Sequence, residues 1–144
     1  MSSFFAWLLS RYGKSPACVA ALIGILSLLQ TPEVCARDIN LAEALTAIHK
    51  QGTDFRIVDV RTRGEYEEGH LPGAINMNIA DPNFPIMLQE LDKRASVLVY
   101  CRTGRRSGIA VNIMERMGFT NILHMKDGWV AWEKANMPIE REAH

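Results

Sequence analysis

Val97-Leu98-Val99-Tyr100-Cys101-Arg102-Thr103-Gly104-Arg105-Arg106-Ser107-Gly108 is the stretch from which the fold can be read. Its apolar, β-branched start predicts a strand over 96–100 with Cys101 at its end. A Gly-containing, arginine-rich loop then leads into an apolar-periodic segment over 109–117 that predicts a helix. Strand, loop and helix in that order place Cys101 at the carboxyl edge of a sheet, where open parallel folds bind ligands. A loop entering a helix turns free backbone N–H groups inward. Those groups, the positive end of the helix dipole and the charges of Arg102, Arg105 and Arg106 each favour thiolate over thiol. The thiol pKa is expected to fall below the free value of about 8.5, which makes Cys101 the candidate nucleophile.

Working outward, strands and helices alternate. Asn40 predicts an N-cap for a helix over 41–50, with Leu41, Ala44, Leu45 and Ile48 on one face and Gly52 as a stop. A near-continuous apolar strand is expected over 55–60, a solvated turn or single helical turn over 62–69, and a short strand over 74–76. A helix with Pro85 in its first turn is expected through about residue 92, carrying a stripe of Phe84, Leu88 and Leu91. The helix after Cys101 shows Ile109, Ile113 and Met117 at four-residue steps, with Gly118 as its C-cap. A strand over 121–125 and a helix over 129–135 follow, where Trp129 and Trp132 share a face and are expected to pack on the sheet. This alternation argues for a parallel α/β sheet.

The chain has 144 residues, 48% of them hydrophobic, enough for one domain with a core. Sixteen basic and sixteen acidic residues cancel, so no overall field points to nucleic acid or to an anionic membrane. Arg11 and Lys14, followed by the uncharged stretch 17–29 and by Val34-Cys35-Ala36, read as an export signal over 1–36 cut after Ala36. Residues 37–144 would then form the mature, nearly neutral domain, periplasmic or secreted, monomeric and without stable membrane association. The alternative is an uncleaved membrane anchor, although the stretch is shorter than the roughly 20 residues that span a bilayer. Pro32-Glu33-Val34 argues against a lipoprotein anchored through Cys35. Cleavage would remove Cys18 and Cys35, leaving Cys101 without a partner for an internal disulfide.

Other polar residues have structural and functional readings side by side. Asp59 and Arg61 arrive at a strand's carboxyl end, either as a loop-capping pair or with a direct role. His70, between two turns, is better read as a structural hydrogen-bonding residue than as a general base. No second His or Cys stands at ligand spacing, so no metal site is supported, and no cofactor is called for.

Three separated blocks coincide with one family. They are Ile57-Val58-Asp59-Val60-Arg61 leading into Glu65-Tyr66 and Gly69-His70-Leu71-Pro72-Gly73-Ala74-Ile75-Asn76; Cys101-Arg102-Thr103-Gly104-Arg105-Arg106-Ser107; and Gly118-Phe119 through Gly128-Trp129 and Trp132 to Pro138. From about Leu41 to Ile139 the chain resembles a single-domain rhodanese, a sulfurtransferase module. The resemblance implies one doubly wound sheet of about five parallel strands flanked by helices, with Cys101 at the base of a cradle-like loop. It implies a ping-pong reaction in which Cys101 takes sulfur from an anionic donor such as thiosulfate, carries it as a persulfide and passes it to cyanide or a thiol. Arg102 and Arg106 are then expected to attract the donor, with Arg105 of undetermined direction, although a solvated helix start would explain the same arginines. Thr103 and Gly104 would act through their backbone, Ser107 would share in binding the donor, and Asp59 and Arg61 would support the loop. Asp127-Gly128 stands where the family commonly has two glycines, and Asn136 or Met137 where it has Gly before the closing Pro. Asp as a helix cap and Asn in left-handed geometry accommodate both departures.

Two other functions compete. A cysteine phosphatase of the related cradle type places an arginine six positions after the cysteine; here that position is Ser107, and Arg106 falls one short. A shorter loop suits a sulfur atom better than a phosphate group. A non-catalytic binding module is the other, against which the retained Cys101 speaks.

Overall fold

The computed structural model describes residues 35–50 and 52–142; the stretch 17–29 expected to direct export lies outside them. Five strands alternate with helices: β1 (Cys35–Ile39), α1 (Leu41–His49), β2 (Phe55–Asp59), α2 (Arg63–Glu68), β3 (Ala74–Asn76), α3 (Phe84–Met87), β4 (Ser96–Tyr100), α4 (Arg105–Arg116), β5 (Asn121–Met125) and α5 (Gly128–Lys134). They form one sheet in the order β1-β5-β4-β2-β3, with every neighbouring pair parallel. The pairs Cys35↔Asn121 and Ala36↔Ile122 open the β1·β5 ladder, so a chain beginning at Arg37 would give up the first two pairs of this strand.

Side chains alternate across the strands and feed two cores. Val58, Val97, Val99, Cys101 and Ile122 pack with Phe84 and Leu88 and with Ala110, Val111 and Met114 of α4. Ile57, Leu98, Tyr100 and Met125 pack on the other face with Ala44 of α1, Tyr66 of α2, and Trp129 and Trp132 of α5. Helices cover both faces, as a doubly wound sheet requires.

Local chemistry sets the helix starts. Asn40 Oδ1 accepts from the Glu43 N–H at 3.0 Å while Glu43 accepts from the Asn40 N–H at 2.9 Å, a complete capping box. Thr62 and Glu65 repeat it, so of the two readings of this acidic stretch the helical one forms, as α2. The stretch after Asn83 is shorter than expected: α3 tightens into a 3₁₀ turn over Leu88–Glu90 and stops there.

The helix after Cys101 differs most from expectation. It starts at Arg105, four residues before the predicted start, so Arg105, Arg106 and Ser107 belong to its first turn. Its buried face is Ser107, Ala110, Val111 and Met114, and Ile109 is 51% exposed. Seating Ser107 against the end of β4 turns Ile109 outward, while Ile113 and Met117 stay half-buried against the same core. Asp127 also departs from expectation: it makes no side-chain cap for α5, and its carboxylate instead accepts from the Leu41 N–H at 3.2 Å, tying the α5 entry to the start of α1. Asn136 adopts the left-handed conformation expected of it, with φ 52°.

Candidate active site

Only Cys101-Arg102-Thr103-Gly104 separate the end of β4 from α4, so the chain must reverse tightly over Cys101. Gly104 does this at φ 84°, and a Cβ there would lie 2.3 Å from the Lys126 carbonyl oxygen, so no other residue fits. Gly128, at φ 63°, meets the loop from the other side, where a Cβ would lie 2.5 Å from the Arg102 carbonyl oxygen. The close approach lets the first N–H groups of α5 hold the loop. Trp129 N–H donates to the Cys101 carbonyl at 2.8 Å and Val130 N–H to that of Arg102 at 3.2 Å.

Cys101 is 1% exposed, beneath this loop. Burial pushes its thiol up, but the Ser107 hydroxyl, hydrogen-bonded to Sγ at 3.4 Å, and the nearby backbone N–H groups of Ser107, Thr103 and Arg106 favour the thiolate. Together they outweigh burial and bring the pKa below the ordinary thiol value. N–H groups gathered at the first turn of a helix form a setting that favours an anion over a neutral group.

The three arginines separate. Arg102 and Arg105 are exposed, with Thr103 between them. Arg106 forms a bidentate pair with Glu65 of α2, both contacts at 2.7 Å, and also faces Cys101. Hydrogen bonding from Arg106 holds Glu65 down at about 2. The carboxylate offsets the repulsion between an arginine and the positive end of the α4 dipole. Ser107 is fully buried, so its side chain serves the cysteine rather than the loop's outer surface. Its hydroxyl lies 3.4 Å from Cys101 Sγ, 3.0 Å from the Gly104 carbonyl oxygen and 2.9 Å from His124 Nε2. His124, on β5, places Nδ1 2.7 Å from Asp38 Oδ1 on β1.

Asp59 and Arg61 lie on the opposite face. Arg61 Nη2 donates to Asp59 at 2.7 Å and to the Gly69 carbonyl at 2.6 Å, and its guanidinium sits 4.6 Å from the Trp129 ring centroid. The pair therefore steadies the α5 start that clamps the Cys101 loop. His70 is structural: Nδ1 lies 2.9 Å from the Tyr66 carbonyl oxygen and its ring stacks on Tyr66 at 3.7 Å. Glu65, His124 and Asp38 are site residues that sequence reasoning missed. Glu65 reads as one of several solvated acids around Tyr66. His124 carried one signal, a polar side chain in an otherwise apolar strand.

A buried, activated cysteine in a cradle of backbone N–H groups, on a doubly wound parallel sheet, defines the class of cysteine cradle-loop domains. Within it, the chain belongs to the rhodanese family: the profile described as Rhodanese-like domain matches residues 40–135. A sulfurtransferase of Allochromatium vinosum is 31% identical over 98 residues, covering 68% of this chain and 90% of that protein. Thiosulfate sulfurtransferase PspE of Escherichia coli is 38% identical over 65 residues, 45% of this chain and 62% of its own. The solution structure of the rhodanese-like domain of the Anabaena sp. Alr3790 protein superposes with a TM-score of 0.64 at 26% identity, covering 78% of this chain and 81% of that one.

Proposed function

We propose that the protein is a sulfurtransferase that accepts sulfane sulfur from thiosulfate or a similar anionic donor on Cys101. The observation that carries this is the cradle: a thiol with lowered pKa, beside N–H groups that would equally favour a terminal persulfide anion. The Cys101 thiolate attacks the outer sulfur of thiosulfate. Its electron pair forms the new S–S bond, and sulfite leaves with the pair of the bond that breaks. An acceptor such as cyanide or a thiolate then attacks the outer sulfur of the persulfide, and the Cys101 thiolate departs with the electrons of the Sγ–S bond. A low-pKa cysteine suits both halves, as nucleophile first and leaving group second. Arg102 and Arg105, exposed on the rim, supply the charge that draws a dianion toward the buried sulfur. Arg106, held by Glu65, faces Cys101 from a fixed position.

Mass spectrometry of the protein incubated with thiosulfate, free of reducing agent, tests this. The expected product gains one sulfur atom on the Cys101 peptide, and Cys101→Ser gains none. Absence of the adduct on the unaltered protein, or faster turnover of an aryl phosphate than of thiosulfate, would overturn sulfur transfer.

A further inference from the structure

Four side chains from four elements or their edges line up on the α4 face of the sheet. Asp38 Oδ1 lies 2.7 Å from His124 Nδ1, His124 Nε2 2.9 Å from Ser107 Oγ, and Ser107 Oγ 3.4 Å from Cys101 Sγ. We propose that this chain is a proton relay: the thiol proton of Cys101 passes through the Ser107 hydroxyl to His124, which Asp38 holds in position from the solvent side. The inference rests on Cys101 being the nucleophile of sulfur transfer and names the groups that activate it.

The hydroxyl of Ser107 has one proton and three acceptors within reach: His124 Nε2, Cys101 Sγ and the Gly104 carbonyl. An ionised Asp38 only accepts, so the proton on Nδ1 is set by that contact. With the imidazole neutral, Nε2 presents its lone pair, Ser107 donates to it, and the thiol directs its own proton at Ser107 Oγ. In the second state the thiol proton has moved to Oγ as the hydroxyl proton moved to Nε2. Nε2–H now donates to Ser107 Oγ, with the Gly104 carbonyl 3.2 Å away as a second acceptor, and the hydroxyl donates to the thiolate. One proton leaves sulfur and one arrives on nitrogen; no bond between heavy atoms changes and nothing is oxidised or reduced. The product is a thiolate and an imidazolium joined through a hydroxyl, flanked by Asp38.

The surroundings favour that product. His124 is 9% exposed, on the strand between β1 and β4. The charged groups facing the chain are Asp38 from β1, Arg106 from α4 and, paired with that arginine, Glu65 from α2. Asp38 opposes the imidazolium charge and Arg106 the thiolate charge. Asp38 and His124 are direct partners in the β1·β5 register, so their contact is built into the sheet.

The test is the rate of Cys101 alkylation by iodoacetamide between about pH 4 and 9, followed on the Cys101 peptide by mass in the full chain. His124→Gln is expected to move the midpoint of the rate–pH curve up by about one unit, a roughly tenfold loss of reactivity below it. Asp38→Asn is expected to move it up by about half a unit, a roughly threefold loss, while the limiting rate at high pH stays unchanged. A purely structural role would lower the limiting rate and leave the midpoint in place. Asp38 is 65% exposed, so its variant tests the relay even if His124→Gln fails to fold. Superimposable curves for the unaltered protein and Asp38→Asn overturn the relay. Failure of the unaltered protein to take sulfur from thiosulfate, with the midpoint shift intact, would sink the donor assignment and support the relay.

Discussion

Two polar clusters flank the carboxyl end of the sheet and behave oppositely. On the α2/α5 face, Asp59 and Arg61 are 0% and 3% exposed, and the guanidinium binds the carboxylate and the Gly69 carbonyl against the Trp129 ring. That cluster is closed: both charges are buried, and their bonding leaves no alternative arrangement. On the α4 face, Asp38, His124, Ser107 and Cys101 form a cluster open at both ends, to solvent at Asp38 and to the cradle at Cys101. A buried pair with fixed partners builds structure, whereas a hydrogen-bonded chain with two proton positions can change state. The same end of one sheet thus holds the part that must not move and the part that must.

The contrast can be broken first at Asp59. Asp59→Asn leaves Arg61 buried without a counter-ion and is expected to cost about 3–5 kcal/mol of stability. Its urea midpoint should fall accordingly; an unshifted midpoint would mean that this cluster is not structural. Next in size is Gly104→Ala, which forces φ 84° on a residue with a Cβ and a collision at 2.3 Å. About 1–3 kcal/mol of strain is expected at this point. Cys101 alkylation should slow markedly, and a melt shows how much of the strain reaches global stability.

Glu65→Gln removes the counter-ion of Arg106. The folded carboxyl sits at about 2, below its ordinary 4.5. Its contribution is therefore present above pH 4.5 and lost as pH falls through 4.5 toward 2. With the pair about a quarter to a third exposed, solvent screening reduces the expected cost at neutral pH to about 1–2 kcal/mol. Urea midpoints of the two proteins should converge near pH 2, and a constant gap across pH would remove the ion pair as its cause. The smallest effect belongs to Asp38→Asn. An exposed charge at the open end should change stability by no more than about 0.5 kcal/mol while shifting thiol reactivity. Equal stability losses for Asp38→Asn and Asp59→Asn in parallel urea titrations would abolish the distinction between open and closed clusters.

Much of the fold was legible because it is written in local chemistry. The apolar run ending at Tyr100, the short strand 74–76, the Asn40 cap, and Trp129 with Trp132 against the sheet all follow from periodicity, capping and apolar spacing. The rotation of α4 was not legible. Ile109, Ile113 and Met117 make as good an apolar stripe as Ala110, Val111 and Met114; with Ser107 seated against Cys101 the second set is buried, Ile113 and Met117 pack at its edge, and Ile109 is exposed. In the same way Asp127 suits an N-cap locally, but the nearby Leu41 N–H claims its carboxylate.

The amino-acid sequence by itself determined that Cys101 sits at the carboxyl end of a strand, that a tight glycine-bearing loop follows, and that a rhodanese-like domain surrounds them. The first two depend on residues adjacent in the chain, and the third on three separated blocks of sequence. Which polar groups attend the thiol was decided only in three dimensions. Glu65 reaches Arg106 across 41 positions and Asp38 reaches His124 across 86. Hydrogen bonds of that span exist only once β1 has paired with β5 and α2 has packed beside α4. Sheet order, not spacing along the chain, brings those side chains within hydrogen-bond distance.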